Sequence, residues 1–295
     1  MYIDGVFSGG GIKGLALIGA LQAIEEKGFV FRRVAGTSAG AILSSFIVAG
    51  YSSKELVSML EELNADNLLD RRSRFIPFSL TKWLSLYWKM GLYKGDKLER
   101  WLYNKLKQRG IITFGDIPEH SLRIVASDLT NGRILVLPDD LPQYGIDPAT
   151  FFISKAVRMS CSLPYFFEPV RLKSVRQTSL IVDGGVLSNF PIWLFDDERK
   201  PKVRPVLGVN LVTAEECEPS KKEIHNAIGL FGALFETMKD AHDARYISKR
   251  HAQNIIFIPV DQQGIIDFQL TEERKQQLVL LGKLRAEAFL QQWSY

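Results

Sequence analysis

A chain of 295 residues, 46% hydrophobic and 24% charged, can bury a sizeable core, and its composition excludes the disordered and collagen-like classes. Lys and Arg exceed Asp and Glu by 37 to 33, a basic excess too small to name an anionic partner by itself. The two cysteines, Cys161 and Cys217, form neither a CxxC metal pattern nor a disulfide framework, which fits a reducing compartment with the cytosol as default.

Met1-Tyr2-Ile3-Asp4-Gly5 lacks the basic start and apolar core of a secretory leader. No apolar run reaches the roughly 18 residues of a membrane span, so any membrane contact is expected to be peripheral. Apolar runs of strand length alternate with helical periods, the pattern of a parallel sheet covered by crossover helices. Tyr2 to Ser8 predicts a first strand, Gly9-Gly10-Gly11 a turn, and Leu15, Leu17, Ile18, Leu21 and Ile24 a helix that stops at Gly28. Phe29 to Ala35 predicts a second strand, which breaks at Gly36-Thr37-Ser38-Ala39-Gly40 into a helix of small and apolar residues. Ser52 with Glu55, and Asp96 with Glu99, have the spacing of capping boxes at two helix starts. Asn131-Gly132, between the apolar runs Leu122 to Ser127 and Ile134 to Leu137, predicts a hairpin or tight turn. A helix is expected from near Asp147-Pro148 to the block Ser160-Cys161-Ser162-Leu163-Pro164. Strands are expected at Leu180 to Val182, Val206 to Leu211 and Ile255 to Val260, and helices around Lys221 to Arg250 and Thr271 to Trp293. No repeat or long linker interrupts the chain. Residues 1–295 are therefore expected to form one domain, with the charged segment Asp196 to Lys202 read as a loop over a continuing sheet.

Three motifs carry chemistry. Gly9-Gly10-Gly11-Ile12-Lys13-Gly14, read as G-x-G-x-x-G, matches a dinucleotide fingerprint, but that reading needs an acidic residue at the end of the second strand. The strand ends Arg33-Val34-Ala35-Gly36, without one, and the spacing before Lys13 is not that of a P-loop. The plain alternative is a tight strand-to-helix turn that uses glycine for φ > 0. Gly36-Thr37-Ser38-Ala39-Gly40 is a G-x-S-x-G nucleophile elbow in its expected context, after a strand and opening a helix, although a buried small-residue turn has the same composition. Asp183 ends a short strand before Gly184-Gly185; it reads as a carboxylate projecting at the carboxyl edge of the sheet or as a turn-capping Asp. The histidines, His120, His225, His242 and His251, sit at no strand end and read as surface or helix-face residues.

Together, and in this order, the three motifs resemble those of the patatin-like phospholipases, over about residues 5–195. Gly9 to Gly14 is similar to that family's oxyanion element, Gly36 to Gly40 to its elbow, Asp183-Gly184-Gly185 to its aspartate motif, and Ser160 to Pro164 to its small-residue and proline block. The resemblance implies a three-layer α/β/α sandwich with a mainly parallel central sheet, to which residues 196–295 add further strands and helices. It implies a lipid acyl hydrolase of the phospholipase or lysophospholipase type, working through a Ser38-Asp183 dyad and an acyl-enzyme, with no metal or cofactor. The N–H groups of Gly9, Gly10 and Gly11 would form the oxyanion hole. Gly14, Gly36, Gly40, Gly184 and Gly185 would support the turns, and Lys13 would orient the glycine turn, add positive potential or simply be solvated. A carboxylesterase on small soluble esters and a non-catalytic lipid-binding protein are the alternatives. The partner expected is a lipid or ester rather than a nucleic acid. The basic and aromatic segment Arg71 to Lys94 is expected to touch a membrane peripherally, cap the site or pack on the core.

Overall fold

A computed structural model describes residues 1–59, 69–70, 90–174, 177–195, 204–213, 233–234, 237–238, 252–260 and 270–294. β1 (Tyr2–Phe7) is buried along nearly its whole length, as a central strand of an α/β sheet must be. A single 3-10 turn, Gly11–Gly14, then leads into α1 (Leu15–Glu26), which ends ahead of Gly28, a left-handed glycine with φ 77°. β2 (Val30–Thr37) lies parallel to β1 and feeds α2 (Ala39–Val48) through Ser38. α3 (Ser53–Ser58) starts at the expected capping box, with both the Ser52 and Glu55 halves formed.

The remaining elements are β3 (Gly91–Tyr93), α4 (Asp96–Gln108), β4 (Leu122–Asp128), β5 (Arg133–Leu137), α5 (Ile153–Ser160), β6 (Tyr165–Phe167), β7 (Val170–Lys173), β8 (Thr178–Asp183), β9 (Val206–Thr213), β10 (Ile255–Val260) and α6 (Glu272–Gln292). The main sheet runs β10-β9-β1-β2-β4-β8-β7, with β5 also on β4. Its first five strands are mutually parallel, whereas β5, β8 and β7 are joined by antiparallel pairings. The sheet is mainly parallel and flanked by helices, as expected. Alternation along β1 splits the core. Ile3 and Phe7 face the large apolar cluster that contains α1 and α6, while Val6 faces Phe190, Ile192 and Phe195 on the other side. β8 and β9 belong to one sheet, so the strands on either side of Asp196 to Lys202 share it; that segment lies outside the described residues.

Two helix starts differ from the sequence reading. Asp96 does not cap α4; Gly95 does, at φ 80°, and Asp96 and Glu99 stand in the first turn, where their charge favours the helix dipole. Asp147-Pro148 opens a short 3-10 turn, Pro148–Thr150, with the Asp147 carboxylate accepting from Ala149 N–H, and α5 begins only at Ile153. The Asn131-Gly132 hairpin is present between β4 and β5. Of Arg71 to Lys94, only the last five residues are described, three of them as β3, which pairs with β6. The helices expected around Lys221 to Arg250 lie outside the described residues but for 233–234 and 237–238.

α6 forms the largest helix contact of the described structure. It crosses α1 where Gly19 meets the backbone of Val279 and Gly282 meets the carbonyl of Ala16, so a Cβ at either position would collide with main chain. Among the described residues, no helix is long and apolar enough to cross a membrane.

Candidate active site

Two strands that never pair with each other bring Ser38 and Asp183 together. β5 occupies one edge of β4 from Ile124 to Asp128, leaving the other edge free. β2 runs along that free edge until Thr37 lies opposite Val125. β8 takes over the same edge from the opposite direction, ending with Asp183 opposite Ala126. The carboxyl ends of β2 and β8 therefore meet head to head. Asp183 thus reaches the carboxyl end of β2 on a strand that runs antiparallel to β4.

Ser38 occupies φ 52°, ψ −118°, a conformation that an L-residue holds only when its surroundings impose it. Its N–H donates to Ser160 Oγ at 2.8 Å, and that hydroxyl donates in turn to Val125 O at 2.6 Å. Its carbonyl accepts from Ala41 and Ile42 at the start of α2. Gly40 is glycine because a Cβ there would collide with the Phe7 carbonyl, and Gly184 because one would collide with the Val125 carbonyl. Thr37 Oγ1 donates to Ser188 O at 3.0 Å, fastening the elbow to the chain beyond Asp183.

Asp183 is 3% exposed. Its carboxylate accepts from Gly185 N–H at 2.8 Å and its own N–H donates to Ser162 O at 2.9 Å. Burial pushes the carboxyl pKa up to about 7, against the opposing effect of hydrogen bonds from Gly185 N–H and the Ser38 hydroxyl. Cys161, buried beside the same two groups, has its thiol pushed up by desolvation and by the Asp183 charge.

The glycine turn packs against the elbow, with Gly14 directly on Ala39. The Gly9 N–H, expected in the oxyanion hole, is already donated to Asn189 O at 3.1 Å, and Gly9 itself faces the Asn189 side chain. Among the described residues, no acceptor takes the N–H of Gly10 or Gly11, and both glycines line the cavity at Ser38. Ala39, first residue of α2 and next after Ser38, also lines the cavity, in the position where a serine elbow places an oxyanion donor. Lys13 is buried and lines the cavity rather than being solvated. His120 is exposed in a loop beside Glu119, and the other three histidines lie outside the described residues. Among the described residues, no group of His, Cys, Asp and Glu is placed to hold a metal.

Ser38, Asp183 and the two free glycines stand at a cavity of about 190 Å³ with otherwise largely apolar walls. The lining takes in Ile42, Leu43 and Phe46 of α2, Ile18 of α1, Leu56 and Met59 at α3, Leu98 and Trp101 of α4, and Phe166 and Phe167 of β6. Leu211, Val212 and Val260, at the carboxyl ends of β9 and β10, add a wall beside the glycine turn, where Leu211 abuts Gly10. Sequence reading missed this lining, together with Asn189 and the role of Ser160, because each acts through a partner distant in the chain.

The sequence profile of the patatin-like phospholipases matches residues 5–196. The chain is 59% identical, over all 295 residues and the full length of both proteins, to the uncharacterized protein YqhO of Bacillus subtilis. It is 28% identical over 192 residues to the probable lipid hydrolase 463L of Invertebrate iridescent virus 6, covering 63% of this chain and 61% of that protein. Among solved structures, VipD from Legionella pneumophila superposes with a TM-score of 0.59 at 19% identity, over 99% of this chain and 67% of that one, a likeness of fold. Because the profile match runs through well over half of the chain and takes in β2, β4 and β8, the strands that position Ser38 and Asp183, the chain belongs to the patatin-like phospholipase family.

Proposed function

We propose that the protein is a lipid acyl hydrolase in which Ser38 is the nucleophile and Asp183 the general base. The observation that carries this reading is a buried carboxylate close enough to the Ser38 hydroxyl to feel it, both groups lining one largely apolar cavity. A carboxyl with a pKa near 7 is half ionised at neutral pH and a far better proton acceptor than an exposed aspartate near 3.9. As the Ser38 oxygen bonds to the ester carbonyl carbon, its proton passes to Asp183. The tetrahedral oxyanion is held by the N–H groups of Gly10, Gly11 and Ala39, each donor worth roughly 3 kcal/mol in such a site. Collapse breaks the ester C–O bond, and the proton on Asp183 goes to the departing alcohol. Water then adds to the acyl-enzyme, giving a proton to Asp183, and the fatty acid leaves as Ser38 recovers its hydrogen. The apolar walls favour a hydrocarbon acyl group, and the family membership and the similarity to a probable lipid hydrolase support the same substrate class.

The test is labelling by a fluorophosphonate probe together with release of fatty acid from phospholipid, lysophospholipid and triacylglycerol. Wild type should label and release; Ser38→Ala, folded by circular dichroism, should do neither. An unlabelled wild type, or release that persists in Ser38→Ala, would remove Ser38 from the chemistry.

A further inference from the structure

Arg158, on α5, is 3% exposed and takes no part in the chemistry of Ser38. Among the described residues, no carboxylate forms an ion pair with it; Glu99, Asp96 and Asp70 act on it only through space. A buried cation is costly unless its N–H groups are satisfied, and here neutral oxygens from separate segments satisfy them. Nη2 donates to Lys94 O and, at 3.0 Å, to Glu168 O, the carbonyls that follow β3 and β6. Nη1 donates to Ser162 Oγ, whose own hydrogen goes back to Arg158 O at 2.7 Å. The guanidinium also lies 5.0 Å from the centre of the Phe167 ring and fills the space that a Cβ at Gly95, the N-cap of α4, would need.

These contacts join the base to the wall of the cavity. Phe167 and, from α4, Leu98 and Trp101 line that cavity. Ser162 O accepts the Asp183 N–H at 2.9 Å, so the residue that Arg158 grips with both its side chain and its carbonyl is the one that holds the main chain of Asp183. A planar guanidinium, with donors in fixed directions, can serve all these acceptors at once; a lysine ammonium, a point charge on a flexible stem, cannot reproduce the arrangement. We propose that Arg158 is a positioning residue that holds Asp183 in register with the cavity wall, acting through Ser162 on one side and through β3, β6 and the start of α4 on the other. The inference rests on the hydrolase reading for what Asp183 does, and on the hydrogen bonds for how it is held. Its basis is geometry rather than charge, because the ionisation of Asp183 is governed by burial and by the hydrogen bonds from Gly185 and Ser38.

Two measurements test it on Arg158→Lys, Arg158→Gln, Ser162→Ala and the double variant of Arg158→Lys with Ser162→Ala. The first is hydrogen–deuterium exchange read by mass spectrometry in peptides spanning β8 and Gly185, which needs no turnover. Each variant should speed exchange of the Asp183 and Gly185 amides about tenfold or more, while the contact of α1 with α6 exchanges as in wild type. Unchanged exchange at Asp183, or a rise of equal size in both regions, overturns the proposal. The second is kcat and KM for a short soluble ester, per site labelled to completion by a fluorophosphonate. Ser162→Ala should lower kcat about tenfold with KM nearly unchanged, whereas Arg158→Lys should lower kcat at least as much and also raise KM, because it releases the wall as well. The double variant should have the kcat of Arg158→Lys, since both substitutions cut one link. Losses in kcat that multiply, or a wild-type kcat in Arg158→Lys, overturn the proposal. Ser162→Ala removes only a hydroxyl and keeps the test open if the Arg158 variants fail to fold. If wild type neither labels nor hydrolyses while the exchange result holds, the hold on Asp183 stands and the hydrolase reading falls.

Discussion

Replacing Asp183 by Asn is predicted to abolish turnover and, at the same time, to stabilise the protein in alkaline buffer. The carboxyl is raised from 3.8 to about 7 by burial. A group whose folded pKa lies above its unfolded value holds its proton longer in the folded state. The stability it contributes is fully present below about pH 3.8 and is lost as the pH rises to about 7. At 1.36 kcal/mol per pH unit, that loss amounts to roughly 4 kcal/mol across the window, of which about 2 falls between pH 5 and pH 7. Asn has no proton to lose, and its amide oxygen can still accept from Gly185 N–H. The melting temperature of Asp183→Asn minus that of wild type should therefore widen by about 5 °C or more between pH 5 and pH 8, taking about 2 °C per kcal/mol for a chain of this size. Thermal melts followed by circular dichroism at pH 5, 6, 7 and 8 read this directly. A difference that stays constant over that range would mean that the carboxyl ionises as if exposed, and the account of its basicity would fail.

Other consequences follow from the same geometry. If Asp183 must be ionised to accept the Ser38 proton, kcat/KM for a short soluble ester should fall about tenfold per pH unit below 7 and level off above it; an inflection below pH 5 would contradict this. Ser160→Ala leaves the Ser38 N–H and the Val125 carbonyl without their shared partner, at a cost of roughly 1 to 3 kcal/mol. It should lower kcat at least tenfold with KM nearly unchanged, and an unaltered kcat would show that the elbow holds its conformation unaided. Gly282→Ala forces α6 away from the Ala16 carbonyl of α1, and should remove more than about 3 kcal/mol of stability in a urea titration. An unchanged midpoint would mean that the two helices separate freely.

The legible parts of the site were those whose chemistry is local. Gly36 to Gly40 is readable because a strand that turns sharply into a helix must have small residues on both sides of Ser38, and the collisions at Gly36 and Gly40 are the physical form of that rule. The direction of β8 was not readable, because Thr178 to Asp183 has the same alternation whether it runs with or against its neighbour. The Gly9 N–H was expected to face the oxyanion, and only tertiary structure brings the Asn189 carbonyl, 180 positions away, to take it. Lys13 was open between solvated and buried for the same reason, since its burial is decided by walls that other segments supply. Ser160 stood in plain sight within a block of small residues, but its partners Ser38 and Val125 are 122 and 35 positions distant. At Asp147, a strong capping signal is satisfied by one 3-10 turn, and the helix begins only at Ile153, a residue that the core buries.

The head-to-head meeting of β2 and β8 also accounts for how two side chains would suffice where hydrolases commonly use three. In a triad, the third group orients the base and fixes its protonation. Here Asp183 is oriented from both sides by main chain, its carboxylate by Gly185 N–H and its own N–H by Ser162 O. Its proton affinity is set by burial rather than by a further charge. A histidine reaches a pKa near 6.5 with no help from its surroundings, so a fold that relies on aspartate must keep water out of the base's pocket to match it. That requirement ties the chemistry to the packing of Val125, Cys161 and Gly184 around the carboxylate. Substitutions that admit water there, without touching Ser38 or Asp183, should lower the pH at which activity sets in and reduce the limiting rate together. A loss of rate with no movement of the pH midpoint would instead point to disturbed geometry.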